Sequence, residues 1–160
     1  MSSRKVMMVT GKSGNQVGIK IRPLRIEDYD DLIRLWNEAG LPYKPEGRDR
    51  REKIAVELKH PTAVFLVAEK GGILIGSVFG THDGRKGWIN RLAVAPAYQR
   101  QGIGHRLVQE VERRFGKMGI EIIACLIEEW NKVSMTAFER MGYKRHSDII
   151  YFTKRKGPKV

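Results

Sequence analysis

The residues best placed to do chemistry lie where a strand runs into a helix: Leu92-Ala93-Val94-Ala95-Pro96-Ala97-Tyr98-Gln99-Arg100-Gln101-Gly102-Ile103-Gly104-His105. The start of a helix has backbone N–H groups without partners and the positive end of the helix dipole, so this junction suits an anion. Gly102 and Gly104 let phosphates approach the backbone with no Cβ in the way. Arg100 adds positive charge. Pro96 cannot donate a ladder hydrogen bond, which predicts that the strand ends or splays there. Two common phosphate-binding patterns are not met. A third glycine of a dinucleotide fingerprint would fall at Leu107, and no lysine follows Gly104 as in a P-loop. Gly11-Lys12-Ser13 resembles the end of a P-loop, but Val6 stands where its first glycine is needed.

The elements that must position this junction follow from periodicity. Ile19 and Ile21 alternate with Lys20 and Arg22, which predicts a strand over 18–24. Tyr29, Leu32, Ile33, Leu35 and Trp36 fall near helical spacing, which predicts a helix over 27–39 ended by Gly40. A second helix is predicted over 49–59, stopped by Pro61. Strands at 63–68 and 73–81 flank Gly71-Gly72 as a hairpin, and another strand runs over 88–94. Ile103, Leu107, Val111 and Phe115 recur every fourth residue and mark a helix over 102–118. A β-branched strand at 120–126, a helix capped by Asn131 and one or two closing strands within 143–154 complete the order. The sum is an α/β domain with a mixed sheet.

Composition bounds the rest. With 160 residues, of which 41% are hydrophobic, one folded domain is expected over 18–155, with an N-terminal extension at 1–17 and a tail at 156–160. No apolar run reaches the length that spans a bilayer, and no signal-peptide pattern follows Met1, so a cytoplasmic location is expected and no membrane partner. A net charge of +12 attracts polyanions. The basic clusters Arg48-Asp49-Arg50-Arg51 and Lys154-Arg155-Lys156 read as a solvated face and a frayed tail. No basic stripe is interleaved with aromatics, so nucleic acid is not expected as a partner. The single cysteine, Cys125, lies in an apolar run and reads as a small buried hydrophobe, excluding an intramolecular disulfide. No metal site is expected, and His82-Asp83 reads as a turn.

Gln99, Gly102 and Gly104 form Gln-x-x-Gly-x-Gly, preceded by Leu-Ala-Val-x-Pro, and Phe138-Glu139-Arg140-Met141-Gly142-Tyr143 follows Asn131. On these motifs, with Arg22-Pro23 and Ile26-Glu27-Asp28, the chain resembles the GNAT superfamily of acyl-CoA-dependent N-acetyltransferases. The resemblance runs over about 19–151 in element order. It implies a mixed, mostly antiparallel sheet flanked by helices, with a splayed strand pair at the cofactor site. It implies acetyl-CoA as co-substrate and an amine acceptor that the sequence does not identify. Leu92, Ala93 and Val94 would bond the pantetheine arm through the backbone. Arg100, Gln101, Gly102, Ile103, Gly104 and His105 would wrap the pyrophosphate, Asn131 would contact the cofactor or cap its helix, and Phe138 would pack beside the sulfur. A homodimer is also compatible with the family.

Two departures bear on mechanism. Phe138 stands where many relatives have a tyrosine that protonates the departing thiolate, and Leu126 where some have a glutamate base. No catalytic residue follows directly, and Glu128 and Glu129, after the fifth strand, are candidates to accept the amine's proton. Tyr43 and Glu46, in the helix-to-helix loop where acceptor specificity would be set, are candidates for the same role, and Trp88 and Trp130 are placed to line the acceptor cleft or to pack. Trp36 reads as core. The competing readings are an acyl-CoA-binding domain without efficient catalysis and a basic nucleic-acid-binding module.

Overall fold

Residues 18–160 are described by a computed structural model, so the expected extension with Gly11-Lys12-Ser13 lies outside the described residues. Among the described residues, five strands form one sheet in the order β1 (Ile19–Pro23), β2 (Ala63–Lys70), β3 (Ile73–His82), β4 (Lys86–Val94) and β5 (Ile122–Cys125). Neighbours are antiparallel except β4 and β5, which run parallel. A parallel pair needs a crossover, and α3 (Ile103–Lys117) supplies it. α1 (Tyr29–Glu38), α2 (Arg51–Glu57) and α4 (Lys132–Arg140) complete the domain. Among the described residues, no helix is long and apolar enough to cross a membrane.

The strand β2 shows why its apolar run is almost continuous. Val64, Leu66 and Ala68 face one core, with Leu107, Val111 and Phe115 of α3 and Phe138 of α4. Phe65 and Val67 face the other, with Leu32 and Trp36 of α1 and Ile54 of α2. A strand covered on both faces has no polar side to present. Trp36 is core, as expected, with no exposed surface. The α3 stripe reads directly as burial: Leu107, Val111 and Phe115 are wholly covered, each contributing about 1.5–3 kcal/mol. Gly80 and Gly87 let α3 lie this close. A Cβ on Gly87 would stand 2.6 Å from two atoms of the Phe115 ring, and one on Gly80 would stand 2.7 Å from Val111.

Two expectations need correction. The segment 143–154 forms no strand; it is irregular, and Ile149, Ile150, Tyr151 and Phe152 are 66–86% exposed. Four successive apolar residues lack the alternation that gives an edge strand one buried and one wet face. The neighbouring edge, β5, also offers only four residues for pairing. The chain end instead reaches the loop after α1, where Lys159 Nζ lies 3.2 Å from Glu46 and the Lys159 carbonyl packs on Gly47. The Arg48–Arg51 cluster is likewise not all solvated face, because Asp49 is only 4% exposed.

At the other edge of the sheet, Arg22 of β1 grips Asp28 through both terminal nitrogens (2.7 and 2.9 Å) and Glu69 of β2 through Nε (2.9 Å). The guanidinium holds the Asp28 carboxyl below its ordinary value of 3.8, against the opposing effect of burial. A depressed carboxyl stabilises fully above its unfolded value, and that contribution is lost as pH falls below 3.8 towards the folded value. Asp28→Asn is therefore expected to be less stable at neutral pH and to lose less stability on acidification. Urea denaturation of both proteins between about pH 2 and 6 checks this window. Parallel curves would show that Asp28 does not carry the dependence.

Candidate functional site

The strands β4 and β5 pair over four residues, Lys86–Ile89 against Ile122–Cys125, and then part. The splay expected between them is present, but it begins at Ile89, well before Pro96. Its cause is a bulge. Phe79 pairs with Asn90 and Ser77 with Ala93, so Arg91 and Leu92 together oppose one residue of β3. Arg91 adopts the left-handed conformation at φ 54°, a rare state for a residue with a Cβ. Pro96 starts a short 3₁₀ turn instead, with Tyr98 N donating to Ala95 O at 2.8 Å.

The bulge also breaks the face alternation. Gly87 and Ile89 meet the α3 side. Ala93 belongs to the α1 side, and Leu92 and Val94 to the α3 side. Strand alternation puts Asn90 on the α1 side, and the Arg91 guanidinium reaches the same side, 5.3 Å over the Trp36 ring. Two adjacent polar residues therefore face α1 at the mouth of the opening. They escaped the sequence reading, although Asn90-Arg91 interrupts an otherwise apolar strand and that interruption is the available signal.

Arg91 ties the α1–α2 loop to β4. Its Nη2 donates to Asp49 Oδ2 at 2.6 Å and its Nη1 to the Pro42 carbonyl at 2.7 Å. Asp49 Oδ2 also accepts from Lys44 N at 2.7 Å, and the Asp49 carbonyl accepts from Tyr29 Oη at 2.9 Å. Trp36 Nε1 donates to Ser77 Oγ, which donates to the Arg91 carbonyl, both at 3.0 Å. The strained residue is thus held at backbone and side chain, consistent with a cost of about 1–3 kcal/mol that the surroundings must offset. Tyr43 joins this group: Asn37 Nδ2 donates to its hydroxyl at 3.0 Å, and its ring lies 5.9 Å from Trp36. Glu46 is exposed and paired with Lys159.

On the opposite face, Gln99–His105 forms the turn into α3. Arg100 and Gly102 are both left-handed, at φ 61° and 80°. For Gly102 the backbone alone calls for glycine. Gly104 differs: it lies inside α3, and an added Cβ would meet only Val94 and Leu92 side chains at 3.7 and 4.0 Å, ordinary contact distances. Neither backbone nor packing demands glycine there, and the missing side chain leaves space along β4. Gly102, the N-cap residue of α3, has no side chain with which to cap it. The first turn thus presents backbone N–H groups towards the opening, a fit for an anion. Gln99 Nε2 donates to the Val94 carbonyl at 3.0 Å, stitching the turn to β4 and using part of that residue's hydrogen-bonding capacity.

The fold brings together Leu92, Ala93, Val94, Arg100, Gln101, Gly102, Ile103, Gly104 and His105, on the free edge of β4 and the start of α3. Arg100 and His105 are exposed, while Ile103 is core. Asn131 caps α4, accepting from Ser134 N at 3.1 Å, so the capping half of its reading holds. Phe138 lies in the core under α4: it is 6% exposed, its ring edge-on to Tyr143 at 5.0 Å. The Tyr143 hydroxyl donates to Glu112 at 2.8 Å, and burial raises its pKa further above the ordinary phenol value. Cys125 is half-buried at the last paired position, and burial pushes its thiol up to about 11, which favours the protonated form. Glu128 and Glu129 are exposed just beyond β5, and Trp130 is 69% exposed beside them. Trp88 is half-buried under the Lys86 ammonium. Among the described residues, no group of His, Cys, Asp and Glu could hold a metal ion.

Phe138→Tyr tests whether a phenol at this position would help. The new hydroxyl would enter a buried apolar cluster, at a cost of about 1–3 kcal/mol if unpartnered. We expect a lower melting temperature and no gain in turnover. A large increase in turnover would show that the ring edge does reach the reacting atoms.

A mixed sheet whose one parallel pair parts beside the glycine turn that opens α3 defines the class of α/β domain. The sequence profile of the acetyltransferase (GNAT) family matches residues 29–143, and the chain belongs to that family. Its enzymes use acetyl-CoA. Among solved structures, the chain is similar to the PaiA N-acetyltransferase of Thermoplasma acidophilum in complex with coenzyme A. The identity is 26%, over 82% of this chain and 92% of that one, with a TM-score of 0.74. It shares the fold of an aminoglycoside antibiotic 6'-N-acetyltransferase from Acinetobacter baumannii, at 19% identity over 88% and 100% of the two chains and a TM-score of 0.72. It equally shares the fold of a transcriptional regulator from Bacillus halodurans, at 17% identity over 86% and 99% and a TM-score of 0.72.

Proposed function

We propose that the domain at 18–155 transfers the acetyl group of acetyl-CoA to a primary amine. The observation that carries this reading is the edge of β4 beyond Ile89, unpaired with β5 and adjacent to the glycine turn that opens α3. Acetyl-CoA supplies the activated acetyl thioester. Leu92 and Ala93 present backbone groups to its pantetheine arm, with Val94 contributing what Gln99 leaves free. The turn Arg100–His105 receives the pyrophosphate, and Asn131 stands beside the opening as the cap of α4. Phe138 supports the site from within the core and makes no contact in this scheme.

An alkylamine is protonated at neutral pH, with a pKa of about 10.4 for lysine, so its proton must leave before attack. Glu128 and Glu129, exposed at the end of β5, are the groups we assign to accept it, directly or through water. The departing thiolate, whose conjugate acid has a pKa of about 8.5, leaves without a dedicated acid. This accounts for a site with phenylalanine at 138.

Calorimetry with acetyl-CoA, followed by free-thiol release across a panel of amines, tests the proposal. We expect saturable binding and acceptor-dependent thiol release. Binding without release from any amine would favour an acyl-CoA-binding domain, a reading the buried Phe138 keeps open. Absence of binding would remove both.

A further inference from the structure

We infer that the acceptor is an amine with an anionic group close to its nitrogen, rather than a polycation; this rests on the function proposed above. The α1–α2 loop lies on the sheet face opposite α3, and Arg91 bonds it to the mouth of the opening through Pro42 and Asp49. A ligand threaded from the α3 side therefore meets its acceptor from the side of this loop. The loop's one buried acid, Asp49, is committed to Arg91 and to Lys44 N. What the loop and the start of α2 show to solvent is mainly basic: Lys44, Arg48, Arg50 and Arg51, against Glu46 and Glu52. Glu46 is itself paired with Lys159.

Arg48 is the best-placed of these cations. Its Nε stands 3.8 Å from Asp49 Oδ2, beyond hydrogen-bond distance, and its side chain is 49% exposed. That oxygen already serves Arg91 at 2.6 Å, so it is shared between two guanidiniums, and the further carboxylate in electrostatic reach, Glu57 of α2, acts on Arg91. The other wall of the opening, just past β5, carries the exposed acids Glu128 and Glu129. The opening is therefore polarised, acidic on the β5 side and basic on the loop side. An amine drawn to the acidic wall can direct a neighbouring carboxylate or phosphate towards Arg48, whereas a second ammonium there would be repelled.

The test compares acceptors chosen for opposite charge beside the amine. Thiol release is measured with tyrosine and tyramine, each corrected for its free-amine fraction, and with spermidine. Peptides beginning Ser-Asp-Glu and Ser-Lys-Lys separate a small acid from an acidic peptide as the source of the anion. We expect kcat/KM about 10-fold higher for the anionic member of each active pair, with the gap shrinking at high salt. Arg48→Glu should reduce that ratio about 10-fold, and Arg48→Ser by less. Preference for spermidine or Ser-Lys-Lys, or a ratio unmoved in both variants, would overturn the inference while leaving amine acetylation standing. Acetyl-CoA binding with no acetylation of any amine would remove the reading beneath it as well.

Discussion

Asp49→Ala is expected to lower folding stability by about 3–5 kcal/mol, the usual cost of leaving one member of a buried ion pair uncompensated. The Asp49 side chain is 6% exposed and that of Arg91 14%. The guanidinium cannot shed its proton, so it must either stay charged without its partner or pull the loop open to reach water. Against a total stability of about 5–15 kcal/mol, such a loss is large. Loosening should also reach function, because the same carboxylate holds Lys44 N and Arg91 holds Pro42 O. We expect acceptor KM to rise while acetyl-CoA affinity changes little, since the α3 turn lies on the other face. The double variant Asp49→Leu with Arg91→Met should be more stable than Asp49→Ala, because no unpaired charge remains. Denaturant melts of the three proteins measure this. A loss below about 1 kcal/mol for Asp49→Ala would show that the pair is effectively solvated.

Gly104→Val is expected to weaken acetyl-CoA binding by about 10–100-fold, the equivalent of one or more charge-assisted hydrogen bonds lost at the pyrophosphate. A Cβ at this position points at Leu92 and Val94, along the edge assigned to the pantetheine arm, and meets no protein atom closer than 3.7 Å. The folded protein should therefore accept it. Gly104→Ala makes the signs diverge. Alanine is the better helix former by up to about 1 kcal/mol, so stability should hold or rise while affinity falls. Gly102→Ala is the contrasting control: at φ 80° it carries backbone strain of about 1–2 kcal/mol, so affinity and stability should fall together. Calorimetry and thermal melts on the three variants separate the outcomes. Unchanged affinity in Gly104→Val would mean that the ligand does not pass along this edge.

The largest elements were legible because their signals are local. The every-fourth-residue stripe of α3 depends only on helix geometry and reappears as Leu107, Val111 and Phe115 fully buried. The hairpin of β2 and β3 followed from Gly71-Gly72, and the turn into α3 from Gly102 and Gly104 with Gln99. That spacing also carried the family resemblance, since a glycine turn at a helix start has the same requirements in any chain. The segment after Gly142 misled for a related reason. Its residues have strand propensity, but whether a strand forms at a sheet edge depends on a partner, and β5 is too short to offer much of one.

The sequence by itself determined the order of elements as far as α4, the glycine-rich turn into α3 and the absence of a phenol at Phe138. Only the tertiary structure decided where the strands part and what stands at the opening. The splay arises from a bulge that exists only because β3 and β4 pair in a particular register. Asp49, read from composition as part of a solvated cluster, became a buried anchor once Arg91, 42 residues later, folded over it. Residues distant in the chain meet only when the sheet closes, so their pairing leaves no mark in local periodicity. Burial of Phe138 in the core shared with α3 depends on the same long-range packing.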